Sequence, residues 1–143
     1  NLLQVSHFAA TAVVAEDAAG RLRGSVTGYL RPDAPDTWFV WQVAVAAPVR
    51  GQGLAARMFD AVLARAECAH VRWLETTVTP DNAASLAAFR RFARRHGARL
   101  VERPGFEREP HFAGRHEDEV LLRIGPFDRG APAAAPGADR PAR

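Results

Sequence analysis

The sequence predicts a mixed α/β (α+β) fold: one sheet flanked by helices, in the order β-β-β-α-β-α-β-β. Three observations carry this. Runs of β-branched and aromatic residues alternate with two stretches of helical apolar spacing. Thr37 to Ala46 (TWFVWQVAVA) is apolar throughout almost its whole length, as strands covered on both faces are. Proline and glycine punctuate the junctions, with Pro48 after that run and Gly97 after the second helical stretch.

Taken in order, Thr11 to Glu16 is a short β-prone run. A turn at Asp17-Ala18-Ala19-Gly20 joins it to Arg21–Leu30 as a hairpin. Arg31 to Asp36 (RPDAPD) reads as a proline-rich loop before the long apolar strand. Gly53 to Glu67 is predicted helical, with Leu54, Met58, Ala61 and Val62 forming its apolar stripe. Val71 to Val78 is the next strand. Thr79 and Pro80 read as N-cap and first position of a second helix, which runs to about His96. Its Leu86, Phe89 and Phe92 face the core, and Arg90, Arg91, Arg94 and Arg95 form a solvated side. Ala98 to Glu102 and Asp118 to Ile124 are the closing strands, separated by a charged loop. Residues 1–127 are read as one domain. Residues 128–143 (DRGAPAAAPGADRPAR) cannot bury a face and are read as a disordered tail.

Composition narrows the classes. A chain of 143 residues with 48% hydrophobic and 24% charged residues can build one globular core. Its single cysteine, Cys68, excludes an internal disulfide and reads as a packed thiol. No apolar run is long enough for a spanning helix, and the start lacks a basic leader, so a cytoplasmic protein with no membrane partner is expected. The chain does not begin with Met, and a processed or incomplete N-terminus is expected. The isoelectric point is about 10.3 although the net charge is only +3. All basic residues are Arg, which does not deprotonate in the accessible range. The small excess argues against a nucleic-acid partner. No metal site is expected.

The chemistry concentrates after the apolar strand, at Arg50-Gly51-Gln52-Gly53-Leu54-Ala55. Two glycines let the backbone approach a ligand and aim N–H groups inward. The helix start adds unpaired N–H groups and a positive dipole end, which suit a pyrophosphate. The pattern is neither GxxxxGK[ST] nor GxGxxG, so nucleotide-hydrolase and dinucleotide loops are excluded. A glycine-rich turn without ligand is the bland alternative.

Arg50-x-x-Gly53-x-Ala55 between strand and helix resembles the acyl-CoA pyrophosphate loop of the GNAT N-acetyltransferases. Thr79-Pro80-Asp81-Asn82-Ala83-Ala84-Ser85 resembles the start of the next GNAT helix. The segments VWQVAV, LETTVTP and HEDEVL, within Leu2–Phe127, resemble the L-2,4-diaminobutyrate acetyltransferases of ectoine biosynthesis more narrowly. That resemblance implies the GNAT fold, a homodimer, and a first strand and helix missing from this chain. It implies acetyl transfer from acetyl-CoA to the 4-amino group of L-2,4-diaminobutyrate by direct attack, with no acyl-enzyme. Val43 and Val45 would offer backbone N–H groups to the acyl and pantetheine carbonyls. Arg50, Gly51, Gln52, Gly53, Leu54 and Ala55 would hold the pyrophosphate, and Asn82 and Ser85 the pantetheine; one or two of Arg90, Arg91, Arg94 and Arg95 would meet the CoA phosphates, with a solvated helix face as the alternative.

Glu75, alone among apolar neighbours in its strand, is the expected general base, acting directly or through water; a salt bridge to an Arg is the alternative. Trp41, His116 and Glu119 are expected beside the doubly cationic substrate, Trp41 with core packing and the HEDE run with a solvated loop as alternatives. Seven residues after Asn82, where many GNAT enzymes carry a proton-donating Tyr, stands Phe89. A GNAT acting on another amine, or an acyl-CoA-binding domain without turnover, are the competing readings.

Overall fold

The structure, a computed structural model, describes residues 6–106 and 118–128. The element order is the expected one: β1 (Val13–Glu16), β2 (Leu22–Arg31), β3 (Ala34–Val45), α1 (Leu54–Leu63), β4 (Trp73–Val78), α2 (Ala83–Arg95), β5 (Arg99–Pro104) and β6 (Val120–Gly125). The six strands form one sheet in the order β1-β2-β3-β4-β6-β5. Only the β3–β4 pair is parallel. Residues 129–143 and His116 lie outside the described residues.

Both helices bury an apolar stripe against one face of the sheet. Phe59 of α1 is central: it stacks on Phe89 of α2 at 5.2 Å and meets Trp38 and Phe92 edge-on. Trp38, Leu74, Leu122 and Ile124 rise to it from the sheet and are fully buried. Alternation along β4 sends Leu74, Thr76 and Val78 to this helical face and Trp73, Glu75 and Thr77 to the other. Among the described residues no helix is long and apolar enough to cross a membrane.

Several boundaries differ from expectation, each for a tertiary reason. The loop at 31–36 is only a two-residue turn at Pro32-Asp33, because Arg31 pairs with Ala34 and β3 begins there. Pro35 and Asp36 are tolerated because their carbonyls accept from His70 Nε2 at 3.0 Å and from the Arg72 N–H at 2.8 Å. Helix α1 stops at Leu63 and not at Glu67. Arg65 leaves the helix with extended backbone and gives one guanidinium nitrogen to the carbonyls of Ala9, Ala10 and Ala12, at 2.7–2.8 Å. Helix α2 is capped by Asn82 and not Thr79: its side chain accepts from the Ser85 N–H at 3.1 Å.

The β1–β2 turn is fastened by Asp17, which accepts from the N–H groups of Ala19 and Arg21 and from the Arg21 and Arg23 side chains. The Arg21 N–H and the other donors hold its carboxyl down from 3.8 to about 2. A folded-state value below the unfolded one means the stabilisation is present above pH ~4 and is lost as pH falls through about 2. Carboxyl-carbon NMR of the folded protein is expected to show Asp17 titrating near 2. An unshifted midpoint would mean the turn bonds do not form.

Candidate active site

The site begins where β3 and β4 part. Their pairing covers only Thr37↔Trp73, Trp38↔Leu74 and Phe39↔Glu75. At the next step the Thr76 hydroxyl donates to the Val40 carbonyl at 3.0 Å in place of a ladder bond. On the other side β3 stays paired with β2 to Val45, with a register shift that leaves Trp41 as an extra residue between Gly28↔Val40 and Thr27↔Gln42. The bulge therefore sits where the two parallel strands separate.

The separation leaves donors on an open edge. The Ala46 N–H donates to the Arg23 carbonyl of β2 at 2.8 Å. Successive N–H groups alternate sides along a strand, so Ala44 faces β2 and Val43 and Val45 face the gap. The Val45 carbonyl points the same way and accepts from Arg50 Nε at 3.1 Å.

The loop adds more donors. Gly51 and Gly53 both have φ near +76°, and an added Cβ would meet nothing within 4 Å at either. These glycines are needed for conformation, not for space. The first bond into α1 is from the Arg57 N–H to the Gly53 carbonyl, at 3.1 Å. No side chain caps the helix, and no acceptor among the described residues meets the N–H groups of Gly51 to Ala56. A run of unpaired donors at a helix start is an anion cradle.

Edge and loop line the same cavity, of about 810 Å³. Of the residues singled out from sequence, it gathers Val43, Val45, Arg50, Gly51, Gly53, Leu54, Ala55, Asn82 and Ser85. Because the Asn82 side-chain oxygen caps α2, its amide NH₂ is the group left to donate to a ligand carbonyl. Gln52 departs from expectation. Its side chain turns to a separate hollow of about 280 Å³ and donates to the Pro48 carbonyl at 3.2 Å. Only its backbone remains for the cradle. Of Arg90, Arg91, Arg94 and Arg95 on α2 only Arg91 lines the cavity, and the sequence reading had not singled out Ala84, Ala87 and Ala88, which line it with Arg91. Their i, i+3, i+4, i+7 spacing is the signal that would have found them.

Trp41, Glu75 and Glu119 do not line this cavity. Trp41 is 56% exposed and ends an aromatic row, Phe8–Tyr29–Phe39–Trp41, with ring centroids 5.3–6.4 Å apart. It is therefore not a core residue. Glu119 is half-buried just before β6, where its N–H and carbonyl bond to Phe106 and Gly105.

Glu75 is 2% exposed, more deeply buried than expected. One carboxylate oxygen accepts from Arg31 Nη1 at 2.6 Å, the other from Arg123 Nη1 at 2.5 Å. Arg31 also grips Asp33, and the Asp33 and Glu75 bonds push its pKa up. The Arg123 guanidinium lies 4.2 Å over the Trp73 ring. The salt-bridge alternative is thus what the geometry shows. Phe89 is buried on Phe59 and offers no proton to the cavity.

A splayed parallel pair, a donor-rich loop and an apolar cleft between them define an acyl-CoA-dependent acyltransferase. Residues 3–93 match the model of the acetyltransferase (GNAT) family, and the chain belongs to that family. It is 51% identical over 126 residues to the L-2,4-diaminobutyric acid acetyltransferase of Bordetella parapertussis, covering 88% of this chain and 68% of that one. The corresponding enzyme of Streptomyces coelicolor is 48% identical over 130 residues, covering 90% and 76%. Among solved structures, the Paenibacillus lautus diaminobutyrate acetyltransferase in complex with L-2,4-diaminobutyric acid and coenzyme A superposes with a TM-score of 0.82, at 38% identity, over 89% of this chain and 76% of that one. Within the family, the chain falls among the L-2,4-diaminobutyric acid acetyltransferases.

Proposed function

We infer that the chain transfers acetyl from acetyl-CoA to the 4-amino group of L-2,4-diaminobutyrate, giving N4-acetyl-L-2,4-diaminobutyrate for ectoine biosynthesis. The observation that carries the reading is the meeting of two donor sets in one cavity: the β3 edge at Val43 and Val45, and the loop from Gly51 to Ala56. Relatives at 48–51% identity that carry this name supply the acceptor.

In this reading the loop N–H groups and the α1 dipole hold the pyrophosphate, with Arg50 beside them. The Asn82 amide and the Val43 and Val45 N–H groups bind carbonyls of the pantetheine and acyl chain. A donor aimed at the thioester oxygen stabilises the charge that builds there as the amine attacks. The C–N bond forms, the C–S bond breaks, and the proton given up by the amine passes through solvent to the departing CoA thiolate, which leaves as the free thiol. Trp41 offers its exposed face to an ammonium group, with Glu119 and His116 as further partners.

Glu75 is assigned a positioning role and not that of base. A base must reach the reacting amine, and Glu75 does not line the cavity while each of its oxygens is held by a guanidinium group. Its bonds tie β2 to β6 across the β3–β4 pair just below the splay. We place the enzyme in the cytoplasm as a homodimer; sedimentation would show twice the chain mass.

Mixing the protein with acetyl-CoA and diaminobutyrate is expected to release free thiol in a diaminobutyrate-dependent way. Preference for another amine in competition would replace the acceptor. CoA binding without release, from this chain and from one extended to the relatives' full length, would overturn catalysis and leave only binding.

A further inference from the structure

The acceptor inferred above carries a carboxylate beside its two ammonium groups. Trp41, Glu119 and His116 suit the ammonium groups, and none of them suits the carboxylate. A carboxylate held at a half-buried site calls for a planar guanidinium that can meet it with parallel N–H groups.

The uncovered face of the sheet presents one. Both helices and the acyl-CoA cavity lie toward the other face. On the uncovered face the rings of Tyr29, Phe39 and Trp41 form a row that ends where β3 and β4 part. Glu75 is the last residue of β4 paired with β3, and Arg123 of β6 is its partner on the other side. Arg123 therefore stands one strand away from the start of the gap.

Arg31 and Arg123 hold the same carboxylate but are not equivalent. Arg31 gives Nε and Nη2 to Asp33 and Nη1 to Glu75, so its fork is filled. Arg123 gives Nη1 to Glu75, and its Nε and Nη2 have no partner among the described residues. Stacking 4.2 Å over the Trp73 ring fixes the plane of its guanidinium, and its side chain stays 28% exposed. Glu75 would repel a second carboxylate, but each of its oxygens is covered by a guanidinium. The result is an oriented cation with spare donors that open to solvent.

The length of the acceptor agrees. Four bonds separate its 4-amino nitrogen from its carboxylate carbon, about 5 Å end to end. Neighbouring strands lie about 4.8 Å apart. With the 4-amino group at the gap, the carboxylate can fall one strand across, within reach of Arg123.

We propose that Arg123 binds the carboxylate of the acceptor and makes the enzyme prefer an amino acid to the matching diamine. The proposal rests on the acceptor reading above, and its test separates the two. Thiol release would be measured with L-2,4-diaminobutyrate and with 1,3-diaminopropane, which differs only by lacking the carboxylate. The chains compared are the unaltered one, Arg123→Gln, Arg123→Lys and Arg103→Gln. Arg103 is exposed and, by its pairing with Leu121, lies on the same face.

The unaltered chain is expected to favour diaminobutyrate in kcat/KM by about 10- to 100-fold, the range of one charge-assisted contact. Arg123→Gln is expected to lose most of that ratio, through a higher KM for diaminobutyrate alone. The ratio is taken within each variant, so a smaller folded fraction cancels. Arg123→Lys keeps the charge without the fork and is expected to fall between the two. Arg103→Gln removes a charge from the same face and is expected to keep the ratio. An equal fall for both amines in Arg123→Gln, or an unchanged ratio in Arg123→Lys, would overturn the proposal and leave Arg123 as a buttress of Glu75. A ratio lost equally in Arg103→Gln would overturn it in favour of a diffuse field. Equal use of both amines by the unaltered chain would overturn it as well. Absence of thiol release with either amine would sink the acetyl-transfer reading itself, and the proposal with it.

Discussion

Glu75→Gln is expected to lower the melting temperature by about 10 °C, corresponding to about 3 kcal/mol. Removing one partner of a buried ion pair is costly because the other charge stays behind. Here two charges stay behind, Arg31 and Arg123. Their side chains keep 31% and 28% exposure, so water relieves part of the cost, and the lower end of the usual range applies. The measurement also tests the role. Loss of a general base lowers turnover by about 10²–10⁴ with stability intact. A positioning residue loses stability first, and well below the melting point turnover is expected to fall by less than about tenfold. Arg123→Gln is expected to destabilise as well, and the double variant less than the sum of the two, since the pair is coupled. A hundredfold loss of turnover at unchanged melting temperature would return Glu75 to the base.

The order of elements was legible because each junction carries local chemistry: Pro48 closes β3, Gly97 follows α2, and Asp17 to Gly20 form the first turn. Local chemistry also marked the loop, since Gly51 and Gly53 are required by their own backbone. What could not be read depends on residues distant in the chain. Helix α1 ends where Arg65 reaches carbonyls more than 50 residues earlier. Glu75 was singled out correctly as an anomalous carboxylate, but its partners sit 44 and 48 residues away. No spacing rule reaches that far. The arginines of α2 look alike in sequence and acquire different duties only from Glu102, Asp60 and the cavity. The open edge at Val43 and Val45 came from the family resemblance; the geometric reason, pairing that ends at Phe39↔Glu75, is a property of the sheet.

Gly53→Ala is expected to raise the KM for acetyl-CoA by about tenfold or more, with a melting temperature lower by only a few degrees. Gly53 holds φ +76° as the N-cap of α1. A Cβ there costs about 1–2 kcal/mol in the left-handed region, although it would touch nothing. The chain relieves that strain by rotating the peptide, and rotation redirects the N–H groups that converge on one anion. Each such bond to a charged group contributes about 1.5–3 kcal/mol, so one lost donor outweighs the strain in its effect on binding. Gly20 provides the comparison. It has φ +74° with equally open space, but it lies in the β1–β2 turn and does not itself line the cavity. Gly20→Ala carries the same backbone strain and is expected to lower the melting temperature similarly while leaving the KM unchanged. If both variants bind acetyl-CoA as the unaltered chain does, the loop is a glycine-rich turn and the phosphates are held elsewhere.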